Sequence, residues 1–315
     1  MSTGQARPPL DPDAARFLEK LKAAGIPPID QIPLKDLRAG SAATVVTLDP
    51  IGRIEDRAID GPGGRLPIRI YRPESAGIGQ ALPALVFFHG GGWVLGSLDS
   101  HDGLCRRLCR LTEWAVVSVD YRLAPEHPFP AAVEDAEAAV RWVARHAAEA
   151  GIDPSRLAVC GDSAGANLAT AAARRVMRDV PLVAQVLWYP ATGFDMETES
   201  YRENQVGYFL TRVEMRWFTA QYLRSPEDRT HPDAVPIRAE SLAGMPATYL
   251  LTAGYDPLRD DGRAFAQKLI ESGVTVHFTE RAGLIHGFMR RLDDFRAATE
   301  VLREVAAFLK ARIDG

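Results

Sequence analysis

The sequence predicts a doubly wound α/β domain, a mostly parallel sheet with helices on both faces. Three observations carry that prediction. Apolar runs of strand length recur along the chain, amphipathic helical patterns fit between most of them, and no internal repeat or low-complexity segment offers another architecture.

The elements follow in order. Across Asp13–Gly25, Ala14, Phe17, Leu18 and Leu21 fall at i, i+3, i+4 and i+7 and a glycine closes the run, the pattern of a short amphipathic helix. A proline-rich link, Pro27 to Pro33, comes next. Two polar-alternating segments from about Arg53 to Tyr71 flank Gly61-Pro62-Gly63-Gly64 and predict an antiparallel hairpin. Six apolar runs then read as strands: Ala84–Phe88, Ala115–Val119, Leu157–Cys160, Ala184–Trp188, Thr248–Thr252 and Val274–Phe278. With the hairpin they make an eight-stranded sheet. Helices are expected at Ala131 to Ala150, Ala164 to Arg178, Asp260 to Ser272 and Phe295 to Ile313. Between Pro190 and Pro246 the alternation breaks. No convincing strand lies there, but a helix from Leu210 to Leu223 is apolar on two sides, with Val213 and Trp217 on one and Met215, Phe218 and Tyr222 on the other. A helix of that kind needs two surfaces to bury against, so it is expected to be sandwiched in a cap over the sheet's carboxyl edge.

Composition narrows the function. The 315 residues are 46% apolar and 25% charged, an ordinary globular balance, and a net charge of -4 without a basic run gives no footprint for nucleic acid or an anionic membrane. Cys105, Cys109 and Cys160 form no CxxC pair and have no histidine at zinc spacing, so they read as buried thiols. The opening MSTGQARPPLDPD lacks an apolar signal region, and no run approaches the ~20 apolar residues of a membrane helix; cytoplasmic residence is the expectation.

The chemistry is carried by short motifs. Gly161-Asp162-Ser163-Ala164-Gly165 fits G-x-S-x-G where an apolar strand meets an Ala-rich helix, the setting of a nucleophile elbow. His89-Gly90-Gly91-Gly92-Trp93 follows the strand Ala84–Phe88, and its glycines expose amides to a developing oxyanion, each donor being worth roughly 2.7–4 kcal/mol of barrier. An acid and a base should follow the serine in that order. Asp256 stands just past Thr248–Thr252 and His286 past Val274–Phe278, so Ser163 is the expected nucleophile, His286 the base and Asp256 its orienter. Asp260 and Asp261 compete as acids but read as the first turn of a helix, where the dipole favours negative charge. The side chain of Asp162 is expected to leave the elbow on another side. His101, His127, His146, His231 and His277 read as helical or loop residues without a paired acid, and His89 as a brace for its glycine loop. No G-x-x-x-x-G-K-[ST], H-E-x-x-H or G-x-G-x-x-G motif is present; neither cofactor nor metal is implied.

Taken together, HGGGW at His89–Trp93, DYRLAPEHPFPAA at Asp120–Ala132, GDSAG at Gly161–Gly165, DPLRDDG at Asp256–Gly262 and HGF at His286–Phe288 resemble the hormone-sensitive-lipase-like (bacterial family IV) esterases of the α/β-hydrolases. The resemblance implies the α/β-hydrolase fold, Ser163, Asp256 and His286 as the triad, and the amides of Gly91, Gly92 and Ala164 as the oxyanion hole. It implies a cap from residues 1–45 and 192–240 on a core of 46–191 and 241–315. If the helix Leu210–Leu223 closes over Ser163, Trp217, Phe218 and Tyr222, with Trp93, are the expected substrate-binding residues, since ligand pockets are lined mostly by apolar and aromatic side chains. The reaction implied is hydrolysis of small esters of short to medium acyl chain through an acyl-enzyme, and the partner a second copy paired through the last strand. Ala166 departs from the second glycine common after GDSAG, at a place with no catalytic role. Amide or lactone cleavage on the same triad stays open, because pocket shape selects the leaving group. A non-catalytic receptor on this scaffold usually lacks a triad member, and this chain has all three.

Overall fold

The computed structural model describes residues 7–43, 47–77 and 79–313. Eight strands form one sheet: β1 (Arg53–Gly61), β2 (Gly64–Arg72), β3 (Leu82–Phe88), β4 (Ala115–Val119), β5 (Ile152–Asp162), β6 (Leu182–Trp188), β7 (Ala247–Tyr255) and β8 (Val276–Ile285). Their spatial order is β1-β2-β4-β3-β5-β6-β7-β8; the hairpin β1–β2 and the pair β2–β4 are antiparallel, and every later neighbour is parallel. All seven residues of β3 and all five of β4 are buried, as strands covered on both faces must be. Alternate side chains feed two cores. Val86 and Phe88 join the layer under the helices α4 (Ala131–Arg145) and α5 (Ala164–Val176), whereas Leu85 and Phe87 join the layer under α3 (Asp102–Thr112) and α9 (Arg296–Ile313).

The remaining helices are α1 (Pro12–Ala24), α2 (Leu34–Ala42), α6 (Glu199–Glu203), α7 (Arg212–Tyr222) and α8 (Arg259–Glu271). Asp11 caps α1 by accepting from the Asp13 amide, and Gly25 ends it in the left-handed conformation, as the sequence pattern predicts. Three helices were not expected: α2, α3 and the five-residue α6, which lies in the segment where only Leu210–Leu223 was read as helical. The apolar residues of α3, Leu104, Cys105, Leu108 and Cys109, all face the core at helical spacing, a signal present in the sequence but short and interrupted by arginines. α2 follows the proline-rich link and buries only Ser41, so periodicity gave it little mark.

Three further expectations change. β8 runs from Val276 to Ile285 rather than ending at Phe278, because backbone pairing to β7 carries it through the polar stretch Thr279–Gly283. His277, read as a helical or loop residue, lies in β8, stacked on Tyr249 at 5.2 Å. In α7, Met215, Phe218, Thr219 and Tyr222 are buried while Val213 is 55% exposed and Trp217 half-buried, so the helix buries one face and is not sandwiched.

The N-terminal elements touch the segment between β6 and β7. Phe17 of α1 meets Phe209 edge-on at 5.7 Å, and Arg7 bonds the side chain of Asn204 and lies over the rings of Tyr255 and Tyr208, 3.5 and 5.3 Å away. No helix among the described residues is long and apolar enough to cross a membrane.

Candidate active site

The serine sits where β5 turns sharply into α5. Ser163 adopts φ 55° and ψ -119°, a conformation that L-residues resist, and it is held there by its own amide donating to Trp188 O at 2.9 Å. The turn is tight enough that a Cβ on Gly165 would lie 2.0 Å from Phe88 O; only glycine lets α5 approach β3 this closely. The elbow therefore pushes the serine side chain clear of the sheet edge.

At the ends of the two outermost parallel strands stand the other two groups. His286 Nε2 lies 2.9 Å from Ser163 Oγ, and His286 Nδ1 lies 2.6 Å from Asp256 Oδ2. Asp256 is fully buried, and its second oxygen accepts from the Leu258 amide at 2.8 Å. Asn204 donates to Asp256 O at 3.1 Å, so the loop bearing the acid is also tied to the β6–β7 segment. The Tyr189 ring packs against the imidazole at 4.6 Å, limiting its rotation. Neither Asn204 nor Tyr189 bore a sequence signal, since both act from outside the motifs.

The competing acids take structural roles. Asp260 accepts from the Ser200 amide and pairs with Arg259 and Arg263. Asp261 is buried with no partner for Oδ2 among the described residues; burial first, then the charges of Asp256, Asp195 and Asp260, push its carboxyl up to about 8. Asp162 turns from the serine to accept the Gly90 amide at 2.8 Å. His101, expected to have no acid partner, is buried with Nε2 only 3.3 Å from Asp162 Oδ1, a pairing across the fold that sequence order conceals.

The glycine loop follows β3. Gly91 and Gly92 both adopt positive φ, at 125° and 62°, and no partner among the described residues takes the amides of Gly91, Gly92 or Ala164. Three unspent donors thus stand beside the serine's elbow. His89 does brace this loop: its Nδ1 lies 2.9 Å from Gly90 O, and Tyr121 donates to His89 O at 2.7 Å. Burial, and then His101, hold the His89 imidazole down at about 3, so it stays neutral.

Of the four expected substrate-binding residues, Trp93 belongs to the glycine loop itself, and Phe218 packs against that loop, since a Cβ on Gly92 would meet its ring at 2.2 Å. Trp217 packs edge-on to Phe218 at 5.3 Å. Trp93 and Tyr222 stack on each other at 4.5 Å with at most 1% of their surface exposed, so they present almost no surface to anything outside the core. Phe209 was missed. Its ring would lie 3.0 Å from a Cβ on Gly287, the residue after the histidine.

Comparison with known proteins identifies the fold and the family. A family model described as alpha/beta hydrolase fold matches residues 85–290. The carboxylesterase NlhH of Mycobacterium tuberculosis is 39% identical over 97% of each chain, and the ethyl acetate hydrolase of Pseudomonas putida is 36% identical over 96% of this chain and 99% of its own. Among solved structures, the Pyrobaculum calidifontis esterase superposes with a TM-score of 0.89 at 40% identity, covering 96% of this chain and 99% of that one.

Proposed function

The chain belongs to the alpha/beta-hydrolase-fold family, and from that premise we propose that it is a carboxylesterase whose nucleophile is Ser163, base His286 and orienting acid Asp256. The observation that carries the assignment is the unbroken line from Ser163 Oγ to His286 Nε2 at 2.9 Å and from His286 Nδ1 to Asp256 Oδ2 at 2.6 Å. Ser163 Oγ attacks the acyl carbon as its proton passes to His286 Nε2, and Asp256 stabilises the imidazolium without taking the proton. The Gly91, Gly92 and Ala164 amides receive the oxyanion, and α5 adds the positive end of its dipole. Collapse expels the alcohol, which takes the proton back from His286. Water, deprotonated by the same imidazole, then releases the acid and frees the serine.

Residues 1–45 and 192–240 form a two-part cap in this reading, supported by the contacts of Phe17 with Phe209 and of Arg7 with Asn204; residues 1–6 and 44–46 lie outside the described chain. Phe218, Trp217 and Phe209 wall the acyl pocket. Aromatic walls close to the serine suit short to medium acyl chains, each methylene adding roughly 0.8 kcal/mol only while it stays buried. The open edge of β8, with Phe278 40% exposed, supports pairing with a second copy, and the buried free thiols fit a cytoplasmic location.

A p-nitrophenyl ester panel across acyl lengths tests the function, with Ser163→Ala as blank and peptide mapping after an organophosphonate. Highest kcat/KM near four to eight acyl carbons (roughly, by the methylene argument) and an adduct on Ser163 are expected. An adduct elsewhere, or activity surviving in the blank, rejects the assignment. Sedimentation velocity tests the dimer; a monomer-sized boundary at micromolar concentration removes it.

A further inference from the structure

Four buried polar side chains around the glycine loop take no part in the steps above: His89, His101, Tyr121 and Asp162, each at most 2% exposed. Buried polar groups are costly unless they are hydrogen-bonded, and a satisfied network rigidifies what it joins. What they hold can be traced atom by atom. Asp162 Oδ1 accepts the Gly90 amide at 2.8 Å. His101 Nε2 stands 3.3 Å from that same oxygen, near enough for electrostatic attraction although not aligned as a full hydrogen bond, and its Nδ1 is fixed 2.8 Å from Ser100 Oγ. Gly90 O and His89 O are pinned from the other flank by His89 Nδ1 and Tyr121.

Gly90 supplies independent support. Its φ is not in the left-handed region, yet a Cβ there would lie 2.4 Å from Asp162 Oδ2. Close approach of this carboxylate is thus what requires glycine at 90. Burial pushes the Asp162 carboxyl up, but His101, the Gly90 amide and Arg290 outweigh burial and leave it below its ordinary value, as an ionised acceptor. A charge-assisted bond in a dry site is stiff as well as strong.

Sequence position gives the bond its meaning. Asp162 immediately precedes Ser163, and Gly90 immediately precedes Gly91 and Gly92, so one side chain links the nucleophile elbow to the oxyanion loop across 72 residues of sequence. We propose that Asp162, oriented by His101, is a positioning residue that keeps the Gly91 and Gly92 amides in register with Ser163. This rests on the reading of those amides as the oxyanion hole. Donors preorganised toward the oxyanion lower the barrier only while their direction is held, so the effect falls on kcat and spares ground-state binding.

The test counts active sites by end-point titration with a p-nitrophenyl phosphonate, then measures kcat and KM per titrated site on p-nitrophenyl butyrate. It also measures Ki for an aryl trifluoromethyl ketone, whose adduct carries an oxyanion. Asp162→Ala should lose roughly 10–100-fold in kcat per site, hold KM within about threefold, and weaken the ketone by the same factor as kcat. Asp162→Asn keeps an acceptor oxygen for Gly90 and should recover part of both losses. His101→Leu should lose in the same direction, to a smaller extent. Unchanged kcat per titrated site in Asp162→Ala, or a kcat loss with no matching loss of ketone affinity, overturns the proposal. Should Asp162→Ala fail to fold, His101→Leu decides alone: matched losses support the role and unchanged constants refute it. A wild-type adduct away from Ser163 would instead strike the underlying assignment and leave this contact as structure only.

Discussion

The candidate site is built from two groups of residues held by different forces. On the sheet side, Ser163, His286 and Asp256 are placed by directional bonds of 2.6 to 2.9 Å and by a strained backbone turn. In the other group, Phe218 and Trp217 of α7 pack edge-on at 5.3 Å, backed by the buried Trp93–Tyr222 stack at 4.5 Å, with no hydrogen bond to Ser163, His286 or Asp256. Directional bonds fail abruptly when an atom moves by half an ångström, whereas apolar packing yields by degrees. The sheet side should therefore govern whether the reaction runs, and the aromatic side which ester is preferred.

Breaking the sheet side gives the largest effects. Ser163→Ala and His286→Ala should each cost up to about 10⁶ in kcat, and Asp256→Asn about 10⁴, because the three act as one unit. Single-turnover kinetics with p-nitrophenyl butyrate would measure it; an equal loss in Asp260→Asn with Asp256→Asn spared would reverse the choice of acid. The aromatic side predicts a different signature. Phe218→Ala should move the preferred acyl length upward and change the ratio of kcat/KM between long and short esters by roughly tenfold, while the phosphonate titration still reaches one site per chain. If the ratio holds and the titration falls, Phe218 belongs with the chemistry and the contrast between the two sides collapses.

The smallest effect sharpens the contrast within the sheet side itself. Asp256 and Asp261 lie five positions apart, both buried, but Asp256 has hydrogen-bond donors and Asp261 Oδ2 has none among the described residues. With its carboxyl pushed up to about 8, native Asp261 keeps a proton that the unfolded chain releases near the usual carboxylate range. The unfolded state thus binds fewer protons between those values, and stability falls as pH rises through them. Asp261→Asn removes this cost. Its Tm should exceed that of the parent by about 2–4 °C at pH 8.5, with the gap closing toward pH 4. A gap that is constant with pH, or of opposite sign, means Asp261 is ionised and partnered in the native state.

The strands and the main helices were legible because each is written within a few consecutive residues, and the hydrogen-bonded trio Ser163, His286 and Asp256 because each stands in its own short motif. Strand periodicity, the two glycines that permit the elbow and the chain order of serine, acid and base need no knowledge of distant partners. The parts that escaped are those decided by neighbours far along the chain. The polar second half of β8 is a strand because β7 pairs with it, and Val213 faces outward because α7 finds one surface to bury against. Trp93 and Tyr222 withdraw from the surface because each stacks on the other across more than a hundred residues. His101 and Asp162 meet for the same reason, 61 positions apart, on elements that only the sheet order brings together. The sequence by itself determined which groups could react and in what local geometry. Which aromatic side chains stay exposed, and what holds the glycine loop, only the tertiary structure decided, since burial and long-range pairing depend on the whole fold and carry no local periodicity.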